Sequence, residues 1–264
     1  MSSASGQTRE PAQGSPSRDW NAAAYDRVSD VQAGWAGELI ERLALRGDEV
    51  VLDAGCGSGR ATAQLADLVP RGRVYAVDVA PSMVAHTQEA LGDRAAVFCQ
   101  DLVDLELPEP VDALFSNATF HWVADHDRLF ERLHSTIKPG GRIVAQCGGR
   151  GNIDSFRVLA DEVAHSEPFA RYFTDWKGPW NYQGPEATEE RMRRVGFDDI
   201  NCWLEPREVT PADPRSFVKT VCVVRHLDPL PEELQDRFVD RVLELYEHPF
   251  VLHYVRLNIT ARRP

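Results

Sequence analysis

A short glycine-rich stretch, residues 50–60, constrains this chain more than any other feature of its sequence. The letters VVLDAGCGSGR place three apolar residues before Asp53 and three glycines at alternate positions after it. Residues 61–68 then have the apolar spacing of an amphipathic helix. Because glycine tolerates positive φ and lets a ligand approach the backbone, we expect a strand, a turn beneath a bound molecule, and a helix. An ordinary strand-to-helix turn is the alternative.

The spacing of the glycines narrows the class of ligand. A dinucleotide fingerprint has the pattern G-x-G-x-x-G, whereas Arg60 stands where its third glycine belongs. No G-K-[ST] follows the turn, as a P-loop requires. An acidic residue at the start of the turn suits a ligand with a cationic amino group better than it suits a phosphate.

Residues 53–59, DAGCGSG, resemble motif I of the class I S-adenosylmethionine-dependent methyltransferases. The resemblance implies that S-adenosyl-L-methionine is the cofactor and S-adenosyl-L-homocysteine its product. It also implies that Asp53, Gly55, Cys56 and Gly57 hold the methionine half. The predicted fold is α/β, a Rossmann-like seven-stranded mostly parallel sheet with helices on both faces and a helical lid.

The length and composition of the chain limit its number of domains and its kinds of partner. A chain of 264 residues, 43% hydrophobic and 27% charged, suits one domain, which we assign to residues 19–264. A net charge of −12 disfavours nucleic acid as a partner. No apolar stretch is long enough to predict a membrane span. We expect a small-molecule acceptor and a monomer or homodimer.

Two other features predict where the protein works. Five scattered cysteines show neither a pairing pattern nor metal-ligand spacing, so we expect reduced cysteines, no metal and a cytoplasmic location. Residues 1–18 are rich in Ser, Gly, Gln and Pro and lack an apolar signal-peptide core, which predicts a disordered tail.

A second predicted strand, residues 73–78, also ends in an acidic residue. Asp78 lies about twenty residues beyond the glycine turn, where a carboxylate can accept hydrogen bonds from two ribose hydroxyls. Val79 and Met83, at the start of the next helix, are assigned to the same cofactor site. A helix cap is the alternative role for Asp78.

The third predicted strand, residues 96–100, leads into Asp101 and Leu102. The resemblance implies that Asp101 accepts a hydrogen bond from the adenine amino group and that the backbone amide of Leu102 faces the ring. A solvated strand end is the alternative.

The fourth predicted strand, residues 111–116, runs into Asn117, His121 and Trp122. Since ligands in open α/β sheets bind beyond the carboxyl ends of the strands, this segment is expected beside the transferred methyl group. Asn117 then contacts cofactor and substrate, and Trp122 forms a pocket wall. Packing of His121 and Trp122 at a helix start is the alternative.

Three segments point to one branch of the class. Trp20 with Tyr25, the run 117–122 and the run 254–258 resemble trans-aconitate methyltransferases and juvenile hormone acid methyltransferases, which esterify carboxylic acids. The resemblance implies that Trp20 and Tyr25 close over the cofactor. It implies that Gln32 and Trp122 hold the substrate carboxylate. Simple packing of the N-terminal residues on the sheet is the alternative.

The rest of the chain completes the sheet and adds to it. Strands are expected at residues 142–147, 200–204 and 250–260, the first after a helix that the turn 138–141 ends. Helical insertions near residues 151–185 and 210–249, with helices expected over residues 154–172, 213–226 and 232–246, predict the lid. The aromatic loop 173–182 belongs to this lid or to a satellite core. Arg225 and Arg256 are candidates to pair with an anionic substrate, although most arginines are solvated.

The predicted chemistry follows from charge. A carboxylate with a pKa near 4 is ionised at neutral pH, so it can accept a methyl group without a general base. The leading hypothesis is a carboxyl O-methyltransferase whose catalytic residues are Gln32, His121 and Trp122. A methyltransferase for another oxygen, nitrogen or carbon of a small metabolite, with His121 or a lid residue as base, is the second hypothesis. A non-catalytic cofactor-binding module is the third.

Overall fold

The computed structural model describes the backbone of residues 30–264 and the side chains of residues 34–264. The predicted tail 1–18, Trp20, Tyr25 and the side chain of Gln32 lie outside the described residues. The strands are β1 Val50–Ala54, β2 Arg73–Asp78, β3 Ala96–Cys99, β4 Val111–Asn117, β5 Ile137–Gly148, β6 Asp198–Val209 and β7 Leu252–Arg262. The α-helices are α1 Asp30–Leu43, α2 Arg60–Leu68, α3 Pro81–Leu91, α4 His126–Thr136, α5 Asp154–Ala164, α6 Pro185–Arg194, α7 Pro214–Phe217 and α8 Glu232–Leu245.

The described strands form one sheet in the order β3-β2-β1-β4-β5-β7-β6. The five strands β1–β5 pair in parallel, and β7 is antiparallel to both β5 and β6. Strands β1 and β4 are almost wholly buried, as expected of parallel strands covered on both faces. The prediction of a Rossmann-like, seven-stranded, mostly parallel sheet is confirmed.

Helices cover both faces of the sheet because its residues alternate between two apolar clusters. Val51 of β1 packs in one cluster with Leu39 and Leu43 of α1 and Leu65 of α2. Leu52, the next residue, packs in the other cluster with residues of α4 and α6. Every second side chain of a strand points to the same face, so each face presents its own apolar row to its own helices.

A third apolar cluster lies over the carboxyl end of the sheet. It joins α5, α7 and α8 to the start of β7, and Phe156, Phe217 and Phe238 are fully buried in it. These residues come from the two predicted insertions. That the insertions act as a lid stays a prediction, while their shared core explains why they hold a fixed position.

Three local expectations differ from the structure. The turn 138–141 lies inside β5, which starts at Ile137. The register skips from Val111 opposite Ile137 to Ala113 opposite Arg142, so the four residues form a bulge, in which Gly140 has φ +79°. The helix expected over residues 154–172 ends at Ala164. The helix expected over residues 213–226 is α7 followed by a π-helical and a 3-10 turn.

The described part of the chain also bears on membrane spans and on the cysteines. No helix among residues 30–264 is long and apolar enough to cross a membrane. All five cysteines, which lie in this part of the chain, are free, and four are buried; Cys99, at the end of the edge strand β3, is exposed.

Candidate active site

The candidate cofactor crevice lies where the strand order reverses. Strand β1 has β2 on one side and β4 on the other, so the loops that leave β1 and β4 diverge and open a crevice at the carboxyl edge. The loop after β1 carries Gly55, Gly57 and Gly59 with φ of +86°, +53° and +81°. These three alternate positions with positive φ favour glycine, and the N–H groups of Gly55 and Gly59 donate to the carbonyls of Val77 and Cys56.

Two of these glycines differ in their surroundings. A Cβ at Gly55 would lie 2.1 Å from Oγ1 of Thr119, in the loop after β4, so only glycine fits between the two loops. A Cβ at Gly57 would meet nothing within 4 Å. The structure therefore packs the start of the loop against its neighbour and leaves its middle open.

Asp53, at the end of β1, lies beneath this loop. Its carboxyl group is 1% exposed and accepts a hydrogen bond of 2.7 Å from the hydroxyl of Thr62 in α2. Burial raises the pKa of Asp53 to about 7; the hydrogen bond from Thr62 opposes this shift and the charge of Asp78 adds to it. The carboxyl group therefore gains or loses its proton near neutral pH. Its direct contact with a cofactor amino group stays a prediction.

Asp78, at the end of β2, ties the glycine loop to the next strand. One carboxylate oxygen accepts from the backbone N–H of Gly57 at 2.9 Å, and the other accepts from the N–H of Ala80 at 2.9 Å. Ala80 is the N-terminal cap of α3, so the proposed ribose contact and the cap-like role are both compatible with this geometry. The Val79 side chain is 50% exposed, whereas Met83 is buried.

Asp101 and Cys56 have mainly local contacts in the structure. Asp101 is exposed and accepts from the backbone N–H of Val103 at 3.1 Å, which caps the 3-10 turn Leu102–Asp104. Leu102 is buried. The thiol of Cys56 is buried, and burial raises its pKa far above the usual range, so it is neutral.

The parallel register brings the three predicted carboxylates to one edge. Ala54 of β1 lies opposite Val77 of β2, and Asp78 lies opposite Cys99 of β3, so Asp53, Asp78 and Asp101 follow three adjacent strand ends. A pair of accessible acceptors, Asp78 and Asp101, beside an open glycine loop suits a ligand rich in hydroxyl and amino groups, whereas Asp53 is buried beneath that loop. Such a pair does not suit a diphosphate, which would be repelled by the same carboxylates.

A second cleft, which we call the acceptor pocket after the role proposed for it below, lies beside the ends of β4, β5 and β7 and beneath the insertions. Its walls combine aromatic and small side chains with one guanidinium group; they are Ala118, His121, Trp122, Asn152, Ile153, Trp180, Tyr182, Val221, Cys222, Tyr254 and Arg256. Asn117, the last residue of β4, directly precedes Ala118, and its amide oxygen lies 3.4 Å from the guanidinium group of Arg256. The sequence-predicted residues Asn117, His121 and Trp122 are thus brought together.

Arg256 of β7 is the buried charge of the pocket. Its side chain is 2% exposed and lies over the ring of Trp35 at 4.7 Å. Its Nε donates to the amide oxygen of Gln146 at 3.2 Å, and a terminal nitrogen lies 3.4 Å from the amide oxygen of Asn117. The Gln146 side chain in turn donates to Asn258 at 2.9 Å. This network fixes the guanidinium group at the ends of β4 and β5.

His121 is held as a neutral imidazole. Burial lowers its pKa well below the usual value, and the nearby charges of Arg256 and His126 lower it further. Its Nδ1 accepts a hydrogen bond of 3.2 Å from the backbone N–H of Gly148, so the ring proton lies on Nε2. A ring in this tautomer donates from Nε2 and is a poor proton acceptor.

Aromatic rings form a continuous wall on the insertion side. The Trp180 and Tyr182 rings stack with centroids 5.8 Å apart, and Trp180 lies 6.4 Å from Trp122. Both rings also pack against the third apolar cluster. The aromatic loop 173–182 therefore contributes to a satellite core and to the pocket wall at the same time.

Two wall residues hold strained backbone. Ala118 and Ile153 have φ of +58° and +47°, a left-handed conformation that costs about 1–3 kcal/mol for residues other than glycine. The N–H of Ala118 donates to the carbonyl of Gln146 at 2.7 Å, which holds it in place. Strain at two positions of one pocket is typical of a functional site.

Sequence patterns missed much of this pocket. Asn152, Ile153, Val221 and Cys222 belong to the insertions and carry no motif, while the run 254–258 did signal Tyr254 and Arg256. Arg225, the other arginine candidate, lies 3.3 Å from Asp228 and outside the pocket walls. Among the described residues, no cluster of three potential metal ligands occurs.

A family model and two named relatives match this chain, and all three are methyltransferases. A family model described as a methyltransferase domain matches residues 51–141. Trans-aconitate 2-methyltransferase of Escherichia coli K12 is 33% identical over 256 residues, which cover 93% of this chain and 98% of the relative. The protein of that name from Methylobacterium nodulans is 28% identical over 267 residues, covering 93% and 98%.

Solved structures share the fold. Haemonchus contortus phosphoethanolamine N-methyltransferase 2, in complex with phosphomonomethylethanolamine and S-adenosylhomocysteine, is similar with a TM-score of 0.60 and 20% identity over 92% of this chain. The present chain spans 57% of the length of that protein. The YcgJ protein of Bacillus subtilis gives a TM-score of 0.60 at 14% identity, covering 86% of this chain and 97% of its own.

Proposed function

Because this chain belongs to the class I S-adenosylmethionine-dependent methyltransferases, in the family of the trans-aconitate 2-methyltransferases, we propose that it methylates a carboxylate oxygen of a small acid. The product is a methyl ester. The observation that carries the proposal is the guanidinium group of Arg256, which is buried at the acceptor pocket and lies 3.4 Å from Asn117 at the end of β4. A buried cation at this place suits an anionic acceptor.

The groups that we propose for the cofactor lie at the ends of β1, β2 and β3 and in the loops that follow them. In our proposal the backbone of residues 55–59 and Asp53 hold the amino-acid portion, and Asp78 accepts from the ribose hydroxyls. The exposed side chain of Val79 packs on the adenine, with Asp101 and Leu102 at its edge. When bound, S-adenosyl-L-methionine supplies an electrophilic methyl group on a cationic sulfur.

The protein's own contribution is alignment of the acceptor and exclusion of water. The acceptor carboxylate is ionised at neutral pH and needs no proton removed. Arg256 holds it by a charge-assisted hydrogen bond, and Asn117 orients it toward the crevice. Trp122 and Trp180 shield the reacting atoms from solvent.

His121 has a different role from the base of the second hypothesis. Since its Nδ1 accepts from Gly148 and its pKa is lowered, the imidazole offers a proton at Nε2 instead of taking one. This supports an acceptor that is already an anion. It argues against phenol or amine acceptors, which benefit from a base.

The test is methyl transfer itself. The purified protein is first titrated with S-adenosylhomocysteine by calorimetry, and labelled S-adenosylmethionine is then incubated with a panel of small carboxylic acids. We expect label in products that dilute alkali hydrolyses, which is the behaviour of methyl esters. Alkali-stable labelled products, or cofactor binding without transfer to any acid, would refute the proposal.

A matched pair of variants tests the role of Arg256. Arg256→Met is expected to retain S-adenosylhomocysteine binding and to lose about 10- to 100-fold in kcat/KM, the range of one charge-assisted hydrogen bond. Arg225→Met removes an arginine that pairs with Asp228 outside the pocket and serves as the control. Equal losses of kcat/KM in the two variants would show that Arg256 does not bind the acceptor.

A further inference from the structure

The segment 180–183, which precedes α6, supplies two rings of the acceptor pocket. Trp180 and Tyr182 line that pocket, and their rings stack with an interplanar angle of 11°. Asn181 lies between them, and its side chain is directed to a different part of the molecule, the loop 118–125 between β4 and α4. The position of both rings therefore depends on what holds the residue between them.

Asn181 makes three hydrogen bonds to the loop 118–125. Its backbone N–H donates to the carbonyl of His121 at 2.8 Å. Its side-chain nitrogen, Nδ2, donates to the carbonyls of Val123 at 3.1 Å and Ala124 at 3.0 Å. Both N–H bonds of the amide are thus used, and two carbonyl oxygens, which only accept, fix the orientation of the amide group. An ionised carboxylate of the same shape could not make these contacts.

Gln183 adds a second anchor to the segment. Its carbonyl accepts from a backbone N–H just beyond the end of β5 at 2.9 Å, and its side chain donates to the amide oxygen of Asn181. Arg191 of α6 donates to the side-chain oxygen of Gln183 at 2.9 Å and lies 3.5 Å from the carboxylate of Asp127, in the first turn of α4. One chain of hydrogen bonds therefore runs from Arg191 through both amides, and each bond polarises the next.

The ring contacts join the same two parts of the chain. The Tyr182 ring lies 5.7 Å from His121, and the Trp180 ring lies 6.4 Å from Trp122. Contacts between tilted rings allow several arrangements, whereas a hydrogen bond weakens steeply when its angle changes. The amide of Asn181 is therefore the more restrictive of the two kinds of link.

We propose that Asn181 is a positioning residue of the acceptor pocket: it holds the rings of Trp180 and Tyr182 against the loop after β4 and does not itself touch the acceptor. This rests on the proposed function, because the pocket is assigned to the acceptor of that reaction. The juxtaposition that carries it is an amide with both donors on loop carbonyls, placed between two wall residues. Its loss loosens the wall and leaves the ends of β1, β2 and β3 unchanged.

The first experiment needs no acceptor and uses acrylamide quenching of tryptophan fluorescence. In Asn181→Asp a carboxylate faces the carbonyls of Val123 and Ala124 and repels them. We expect the quenching constant to rise above that of wild type, and most of the rise to be lost in a Trp180→Phe background. Asn201→Asp adds the same charge at an exposed position of the edge strand β6 and is the control. No rise in Asn181→Asp, or the same rise in the control or in the Trp180→Phe background, would overturn the inference.

The pH dependence of this rise tests the donor role of the side chain. A carboxyl group that regains its proton can donate one hydrogen bond, so the difference between Asn181→Asp and wild type should narrow from about pH 8 to about pH 5. Asn181→Ala has no proton to regain and should show a constant difference. A constant difference in Asn181→Asp would refute the donor role. The titratable and charged neighbours are the same in all three proteins and cancel in the comparison; they are His121, Asp125, His126, Asp127 and Arg191.

Steady-state kinetics connects the wall to the acceptor. With the first acid of the panel that gives alkali-labile label, Asn181→Ala should raise the acceptor KM about tenfold, the order expected for two hydrogen bonds, while kcat and S-adenosylhomocysteine affinity stay within about threefold. A protein that is only less well folded would lose kcat at constant KM. That pattern, or the same rise of KM in Asn201→Asp, would contradict a positioning role.

The two proposals fail in different ways. If no acid is methylated but the quenching and pH results are as expected, ester formation is refuted and the positioning role of Asn181 stands. If an acid is methylated and Asn181→Ala matches wild type in both KM and quenching, ester formation stands and the positioning role is wrong.

Discussion

Replacement of Asp53 by asparagine should stabilise the cofactor-free protein at alkaline pH. The Asp53 carboxyl group is buried beneath the glycine loop, and burial raises its pKa from 3.8 to about 7. The folded state therefore binds this proton more tightly than the unfolded state does. Its contribution to stability falls as the pH rises from about 4 to about 7 and stays constant above that.

The magnitude follows from the two pKa values. Ionised Asp53 disfavours the folded state by about 4 kcal/mol at pH 8 and by about 1.5 kcal/mol at pH 5. Asparagine has nearly the same shape, keeps an oxygen that accepts from Thr62, and does not ionise. The free energy of unfolding of Asp53→Asn, relative to wild type, should thus rise by about 2.5 kcal/mol between pH 5 and pH 8.

Urea unfolding of cofactor-free protein at these two pH values measures this difference. The exposed neighbour Asp48 supplies the control, since Asp48→Asn removes the same charge without changing a buried site. The reasoning is refuted if Asp53→Asn and wild type show parallel pH dependence, or if Asp48→Asn gives the same gain.

Three further substitutions probe the site. Asp78→Ala should weaken S-adenosylhomocysteine binding about tenfold or more, since it removes an acceptor of the Gly57 N–H; unchanged affinity in calorimetry would reduce Asp78 to a helix cap. Gly55→Ala places a Cβ against Thr119 and should lower Tm by roughly twice as much as Gly57→Ala, for which about 2–4 °C is expected; equal shifts in a thermal scan would contradict this. Trp122→Ala should lower kcat/KM for the acceptor about tenfold or more while S-adenosylhomocysteine affinity stays within about threefold, and equal turnover would exclude it from the acceptor site.

The cofactor side of the site could be predicted from sequence because its residues are local. Asp53, Asp78 and Asp101 each follow a strand, and parallel strands bring their carboxyl ends to one edge whatever the details of packing. The spacing of the glycines then distinguishes motif I of the methyltransferases from a dinucleotide fingerprint and from a P-loop. What sequence did not reveal was the inward placement of Asp53, since burial depends on the helix packed against it.

The acceptor side depends on contacts between distant segments. Arg256 meets Gln146 and Asn117 because β7 inserts between β5 and β6, and chain order alone does not give that strand order. Val221 and Cys222 reach the pocket from a π-helical turn where periodicity predicted a regular helix. The start of β5 at Ile137 was missed for a similar reason, because its bulge interrupts the strand pattern with turn residues.

The interior position of β7 has a consequence for how the molecule is made. Strands β1–β5 pair with one another and need neither β6 nor β7 as a partner. Strand β6 has no partner until β7 arrives, and the arginine and amide that complete the acceptor pocket arrive with it. The acceptor side of the site is thus complete only when the last strand of the sheet has been synthesised, whereas Asp53, Asp78 and Asp101 all come from the first half of the chain.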